Sequence, residues 1–304
     1  MSNDNLETTS IDDALAIFIV SREAQGVSPG TVTYYRKKLA IFVDWCKENQ
    51  VVTVNAITSH HVRSCVAAMQ KKNLSPYTVH GIARAIKAFL RFCAEDELIT
   101  RCPKFKMPAL PKDVLPAFTR DEITRLLEAC ETHRDKTILL VLLDTGMRAS
   151  EFVGVNAEDV DTDTNSIRIV RGKGGKSRYT YLGAQSKKVL TRYLITTKPA
   201  GKQPLWISLT TGERLTGDGL RQMLQRLGKR AGVEDCHPHK FRRTCALESL
   251  RAGMNIYALQ ELLGHADLQV LRRYLDIVES DLRQAHSAHG AVDSILGNTK
   301  KKGR

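Results

Sequence analysis

The chain has 304 residues, with 46 Lys and Arg against 33 Asp and Glu for a formal net charge of +13, and it is 42% hydrophobic and 26% charged. This is globular material, neither disordered nor fibrous, and its longest apolar run, Ala14–Val20, falls far short of the roughly 20 residues a membrane-spanning helix needs. The acidic opening Met1–Glu7 argues against a secretory signal, so the expectation is a soluble protein of the cytoplasm with no membrane partner.

The length predicts two domains. Basic residues exceed acidic ones on both sides of residue 110, 14 against 10 before it and 32 against 23 after it. The excess is therefore not confined to the Lys-rich end, and a polyanion, nucleic acid before membrane, is the natural partner. The alternative is a basic protein that merely stays soluble. Seven cysteines without a CxxC pair read as reduced thiols and give no zinc spacing, so no metal and no cofactor is expected.

In chain order, helical periodicity predicts four helices, at Ile11–Ala24, Val32–Cys46, Val62–Met69 and Val79–Cys93. Two starts look alike, Ser28-Pro29 and Ser75-Pro76, each a serine N-cap followed by proline at the first helical position; we read them as shared capping, not duplication. Four of nine prolines fall in 103–116, which predicts an extended linker carrying Lys104, Lys106 and Lys112. Thr119-Arg-Asp-Glu122 is a capping box opening a helix to about Thr132, and Ile138–Leu143 reads as a buried helix stopped near Gly146, with a new one beginning around Ala149. Periodicity then switches to two around Ile167/Ile169 and Tyr179/Tyr181, a β-hairpin with the basic glycine-rich turn Arg171–Arg178. Helices return at Ser186–Leu194, Gly219–Ala231, Arg242–Ala252 and Ile256–Leu263. The second domain is thus expected to be mostly α with a small antiparallel sheet.

Four places could do chemistry. In Thr145-Gly-Met-Arg-Ala-Ser-Glu151, Arg148 opens a helix and Glu151 lies one turn on, placed to orient the guanidinium; a plain surface ion pair is the alternative. Lys173 sits in the hairpin turn, which lacks the P-loop spacing and equally suits a solvated basic turn. His239 and Arg242 share a helical face behind Pro238, a titratable base beside a permanent cation; a helix touching DNA backbone through Lys240, Arg242 and Arg243 is the alternative. Finally His265 follows a glycine stop and precedes Tyr274 by nine residues. Tyr274 suits a core aromatic, but the adjacent Arg272 and Arg273 point to a charged setting and not a dry pocket.

Taken in order, the set resembles the tyrosine recombinase (phage integrase) family, whose signature is an Arg, a hairpin Lys, a His-x-x-Arg, a Gly-His and a Tyr nine residues later. TGMRASE supplies Arg148, GKGGK supplies Lys173, PHKFRRT supplies His239 and Arg242, LLGH supplies His265, and Tyr274 completes it. Two departures, Arg243 where histidine is common and Leu271-Arg272-Arg273 before the tyrosine, touch none of these positions.

The resemblance implies a two-domain, mainly α chain. A four-helix core-binding (SAM-like) domain at 1–102 would clamp DNA, a Pro/Lys-rich linker would span 103–117, an α+β catalytic domain would span 118–290, and 291–304 would be a basic tail. It implies a DNA strand transferase, needing neither metal nor ATP, that works through a 3′-phosphotyrosine for integration, excision or transposition of a mobile element. Tyr274 would be the nucleophile, His239 its base, Arg148 and Arg242 the phosphate clamp, Lys173 the general acid and His265 a hydrogen-bond donor. The implied partners are double-stranded DNA, three further copies in a tetramer on two sites, and accessory DNA-binding proteins, in a nucleoid-associated cytoplasmic setting. Residues 282–296 would dock on a neighbour or on their own domain. A type IB topoisomerase, a nuclease, a non-catalytic DNA-binding regulator and a chromosome-dimer resolvase of the Xer kind are the rivals.

Overall fold

The computed structural model describes residues 9–111, 116–170 and 177–264, together with Tyr274, Leu275, Val278 and Arg283. The readings of Lys173 and its turn, of His265, of Arg272 and Arg273, and of the C-terminal segment lie outside the described residues, Arg283 apart. The chain divides into two compact units, Met1–Asp113 and Val114–Arg304.

The first unit is four helices, α1 (Ile11–Ala24), α2 (Pro29–Glu48), α3 (Ser59–Lys71) and α4 (Pro76–Glu95), with a 3-10 turn at Val54–Ala56 between α2 and α3. Each start is chemically marked. Ser10, Ser28, Thr58 and Ser75 accept from the backbone N–H three residues on, which satisfies an otherwise orphaned donor. The caps at Ser28 and Ser75 are near copies, with ψ of 147° and 144° and a hydroxyl contact of 2.9 Å to Thr31 and Thr78 respectively. The core gathers on Phe18, whose ring meets Tyr35, Phe89 and Phe92 edge-on at 5.0–5.7 Å. Tyr34 on α2 donates to the Gly81 carbonyl of α4 at 2.7 Å, tying the two long helices together.

The second unit opens with α5 (Arg120–Glu128), capped by the expected box: Thr119 and Glu122 exchange hydrogen bonds with each other's backbone N–H at 3.1 and 2.7 Å. The helix ends four residues earlier than the sequence suggested, because Thr132 is itself an N-cap, accepting from Asp135 N at 3.0 Å to start α6 (His133–Thr145). Then come α7 (Ala149–Gly154), a 3-10 turn (Ala157–Asp159), β1 (Val160–Asp161), β2 (Ser166–Ile169), β3 (Arg178–Tyr181), α8 (Ala184–Thr197), α9 (Gly217–Ala231), α10 (Pro238–Arg251) and α11 (Ile256–Leu263). The sheet is antiparallel in the order β1-β2-β3, with Ile167 opposite Thr180 and Ile169 opposite Arg178.

The two-residue period of β3 runs with its aromatic side outward. Tyr179 and Tyr181 are exposed, while Thr180 is fully buried and the Arg178 side chain is only 9% exposed. An arginine at an inward register position needs a buried partner. The main core stacks Phe152 on Trp206 at 4.7 Å, and Tyr193 donates to the Leu205 carbonyl beside them. All seven cysteines are free, and burial pushes the thiols of Cys46, Cys65, Cys93, Cys236 and Cys245 up to about 12, so they stay protonated and inert. Among the described residues no helix is long and apolar enough to cross a membrane.

Candidate active site

Three helix ends build the site. The chain leaves α6 through Gly146 in the left-handed conformation (φ 56°), where a Cβ would lie 2.6 Å from Leu263 Cδ2 and 3.0 Å from Cys245 Sγ. Only glycine fits a turn of that hand at that distance. Two residues later Arg148 takes the N-cap position of α7, and Glu151 at its third position accepts the Arg148 backbone N–H at 2.9 Å. The same carboxylate pairs with Arg148 Nη1 at 2.9 Å, as the three-residue spacing predicts.

From α10, Arg242 enters the core with 4% of its surface exposed and donates to the carbonyls of Gly146 (2.6 Å) and Leu263 (2.8 Å). Those two bonds use two of the five N–H donors of a guanidinium. His239 stands exposed in the first turn of the same helix.

The α11 C-terminus is where the site closes. Arg178 Nε donates to the Leu262 carbonyl at 3.1 Å, Arg242 to Leu263, and Arg148 Nη2 to Gly264 at 3.0 Å. Three guanidinium groups from three separate elements thus hold three successive carbonyls, the groups a helix C-terminus leaves unpaired and partially negative. His265 is the next residue in sequence and lies outside the described residues. Arg178 also makes a parallel fork on Glu151, Nη1 to Oε1 and Nη2 to Oε2, both 2.8 Å. The sequence reading missed Arg178; its signal was the inward position on β3, opposite buried Ile169.

The charges follow from this packing. Burial by itself would raise the Glu151 carboxyl, but the Arg178 fork and the Arg148 N–H override it and hold the pKa near 2. Arg242 is lowered to about 10 by burial and by the neighbouring charge of Arg148, and so remains protonated at neutral pH. His239 is lowered by desolvation first and then by Arg243 and Arg242, which keeps its imidazole neutral and able to take a proton. With three guanidinium groups against one carboxylate, the site holds an excess of positive charge before any ligand arrives.

Two expectations need correction. Lys240 is not a backbone-touching surface lysine: it is 5% exposed, reaches Glu122 Oε1 at 3.3 Å and the Glu234 carbonyl at 3.1 Å, and lies over the Phe118 ring. Its long stem lets α10 clamp α5 from inside. Tyr274, expected in a charged setting, is 4% exposed in an apolar cluster with Cys245, Leu247, Leu250, Leu259 and Leu263. The apolar faces of α10 and α11 leave a cleft that the aromatic ring fills. Among the described residues no group of three His, Cys, Asp or Glu side chains is disposed to hold a metal ion.

A family model described as the phage integrase family matches residues 116–280, and the N-terminal SAM-like domain of phage integrases matches residues 22–97. The chain belongs to the phage integrase family and is a tyrosine recombinase. It is 29% identical over 282 residues to tyrosine recombinase XerA of Saccharolobus solfataricus, covering 90% of this chain and 91% of that one. It is likewise 29% identical over 276 residues to tyrosine recombinase XerC of Oceanobacillus iheyensis, covering 86% and 90%. The fold is shared with the integrase of the Tn1549 transposon, solved in complex with a circular intermediate DNA, at TM-score 0.71 and 18% identity over 91% of this chain and 99% of that one.

Proposed function

We propose that this recombinase cuts and rejoins duplex DNA at specific sites through a 3′-phosphotyrosine, serving the integration, excision or transposition of a mobile element. The observation that carries the reading is the cationic cradle of Arg148 and Arg242 at the end of α11, with neutral His239 at its edge.

In this reading Tyr274 Oη attacks the scissile phosphorus as the bond from phosphorus to the 5′ oxygen breaks. The phenol, with an ordinary pKa of about 10, gives its proton to His239. Arg148 and Arg242 hold the two non-bridging oxygens as charge builds on them, a task suited to fixed guanidinium donors. Lys173 protonates the departing 5′ oxygen and His265 donates to the phosphate. The bond energy stays in the tyrosyl ester, so resealing needs no ATP, and the charge is met by side chains without a metal ion.

Residues 1–102 act as the core-binding half of a DNA clamp, 103–117 as the connection, 118–290 as the catalytic domain and 291–304 as a basic tail. Duplex DNA is the substrate, four copies assemble on two sites with accessory DNA-binding proteins, and the setting is the nucleoid of the cytoplasm. Phosphate contacts dominate affinity, so binding falls steeply with salt.

The test uses a duplex that the protein itself selects from a randomised library, nicked beside the cleavage position so that the adduct is trapped. In EDTA, wild type should give a denaturant-resistant protein–DNA adduct and Tyr274→Phe none. Binding without an adduct from wild type would favour a non-catalytic regulator. A chromosome-dimer resolvase is the second reading, favoured by the names of the XerA and XerC relatives. Mapping the selected sites onto the source genome separates the two: element ends for the first, a single site near the replication terminus for the second.

A further inference from the structure

We propose that Arg178 is a positioning residue for strand transfer: by occupying the fork of Glu151 it keeps the Arg148 guanidinium presented to the scissile phosphate. The proposal rests on the reading of Arg148 as a phosphate-holding residue.

Glu151 has two oxygens and two arginines within reach, and they divide the carboxylate unequally. Arg178, 9% exposed, takes both oxygens in a bidentate pair at 2.8 Å and 2.8 Å. Arg148, with 40% of its side chain exposed, touches Oε1 through Nη1 alone and keeps Nη2 on the Gly264 carbonyl. A buried carboxylate with a single arginine to pair with takes it bidentately, since that geometry is the strongest on offer. Without Arg178, Glu151 would therefore draw both terminal nitrogens of Arg148 onto itself, off Gly264 and away from the ligand side. The net charge matters as much as the geometry. A single arginine on Glu151 makes a neutral pair, whereas two leave one positive charge uncompensated, on the exposed member. Arg178 Nε on the Leu262 carbonyl fixes the fork itself, so all three nitrogens of the side chain serve to hold it.

Lysine cannot substitute, because one ammonium cannot reach two carboxylate oxygens and a carbonyl in the planar arrangement a guanidinium provides. Arg178→Lys should slow adduct formation on the nicked duplex roughly 10- to 100-fold, the worth of one or two charge-assisted hydrogen bonds, with DNA affinity within about twofold of wild type. The double variant Arg178→Lys/Glu151→Gln should be no slower than the slower single variant, since both act on one group.

A duplex with a methylphosphonate at the scissile position separates positioning from structural damage. Replacing a non-bridging oxygen by methyl removes the charge Arg148 meets, so the Arg148→Ala defect should shrink, and the Arg178→Lys defect should shrink with it. A wild-type rate for Arg178→Lys overturns the proposal, as does a defect of unchanged size on methylphosphonate while that of Arg148→Ala shrinks. If Arg178→Lys does not fold, Arg178→Gln is read on the same two substrates, with the same two outcomes. If Arg148→Ala forms adduct at the wild-type rate, the phosphate-holding reading of Arg148 fails instead.

Discussion

Arg242 and Leu263 meet at 2.8 Å, side chain to carbonyl, joining the buried face of α10 to the last residue of α11. The same guanidinium holds the Gly146 carbonyl at the end of α6. One side chain therefore fixes two helix ends relative to each other, and the cradle exists before DNA arrives. Preorganised charge of this kind spends no free energy on rearrangement when the transition state forms.

Replacing Arg242 by Met should remove adduct formation and also weaken the fold. Two buried carbonyls lose a charged donor, a cost of about 2–4 kcal/mol. Thermal melting should therefore fall by roughly 5–15 °C, while Arg148→Met, on the exposed side, should lose the adduct with a smaller change in melting.

Gly146→Ala tests the turn. Its left-handed backbone costs a residue with a Cβ about 1–2 kcal/mol, and the added carbon meets Leu263 Cδ2 at 2.6 Å. Melting should drop by at least about 3 °C, and adduct formation should slow because the Gly146 carbonyl that seats Arg242 moves. A silent Gly146→Ala would show that the α6 end does not constrain α11.

Acid should act in two windows. The pKa values of His237 and His239 both lie below the ordinary 6.5 in the folded protein, so the unfolded chain binds protons more readily and stability falls as pH drops below about 6.5. For His237 the cause is burial first and then the neighbouring charge of Arg243; its Nδ1 also accepts the Lys240 N–H at the start of α10, a bond the protonated ring cannot accept. Glu151 acts lower, contributing stability above the ordinary 4.5 that is lost as pH falls toward about 2. Melting measured from pH 8 to pH 3 should decline in both windows, and His237→Gln/His239→Gln should flatten the first. NMR titration of the free protein should place the His239 midpoint below 6.5.

Lys240→Met should leave DNA recognition alone. The lysine is committed to Glu122 and the Glu234 carbonyl, and its loss should cost about 1–3 kcal/mol of stability. A phosphate contact would show itself differently, by lowering the salt-dependence slope of DNA binding by about 1. We expect that slope unchanged, and a reduced slope would return Lys240 to the DNA-facing surface.

Much of this molecule is legible in its sequence because the deciding interactions are local. The bounds of α1 and α11 follow from apolar spacing, and the starts of α2 and α4 from a serine and a proline whose cap bonds reach only three residues. Glu151 facing Arg148 is one helical turn of geometry. The family follows from six residues in order. What the sequence did not determine is which cations stay open to solvent and which are committed to the fold. Lys240 and Arg178 look like solvated charge until the carboxylates that hold them are known, and those lie 118 residues away for Lys240 and 27 for Arg178. The burial of Tyr274 is a similar case, since the cleft that takes the ring belongs to α10 and α11. Local chemistry settled the elements and the roster of reactive groups. Only the packing of distant helix ends decided which arginines are buried against backbone carbonyls and which one, Arg148, stays partly open to solvent.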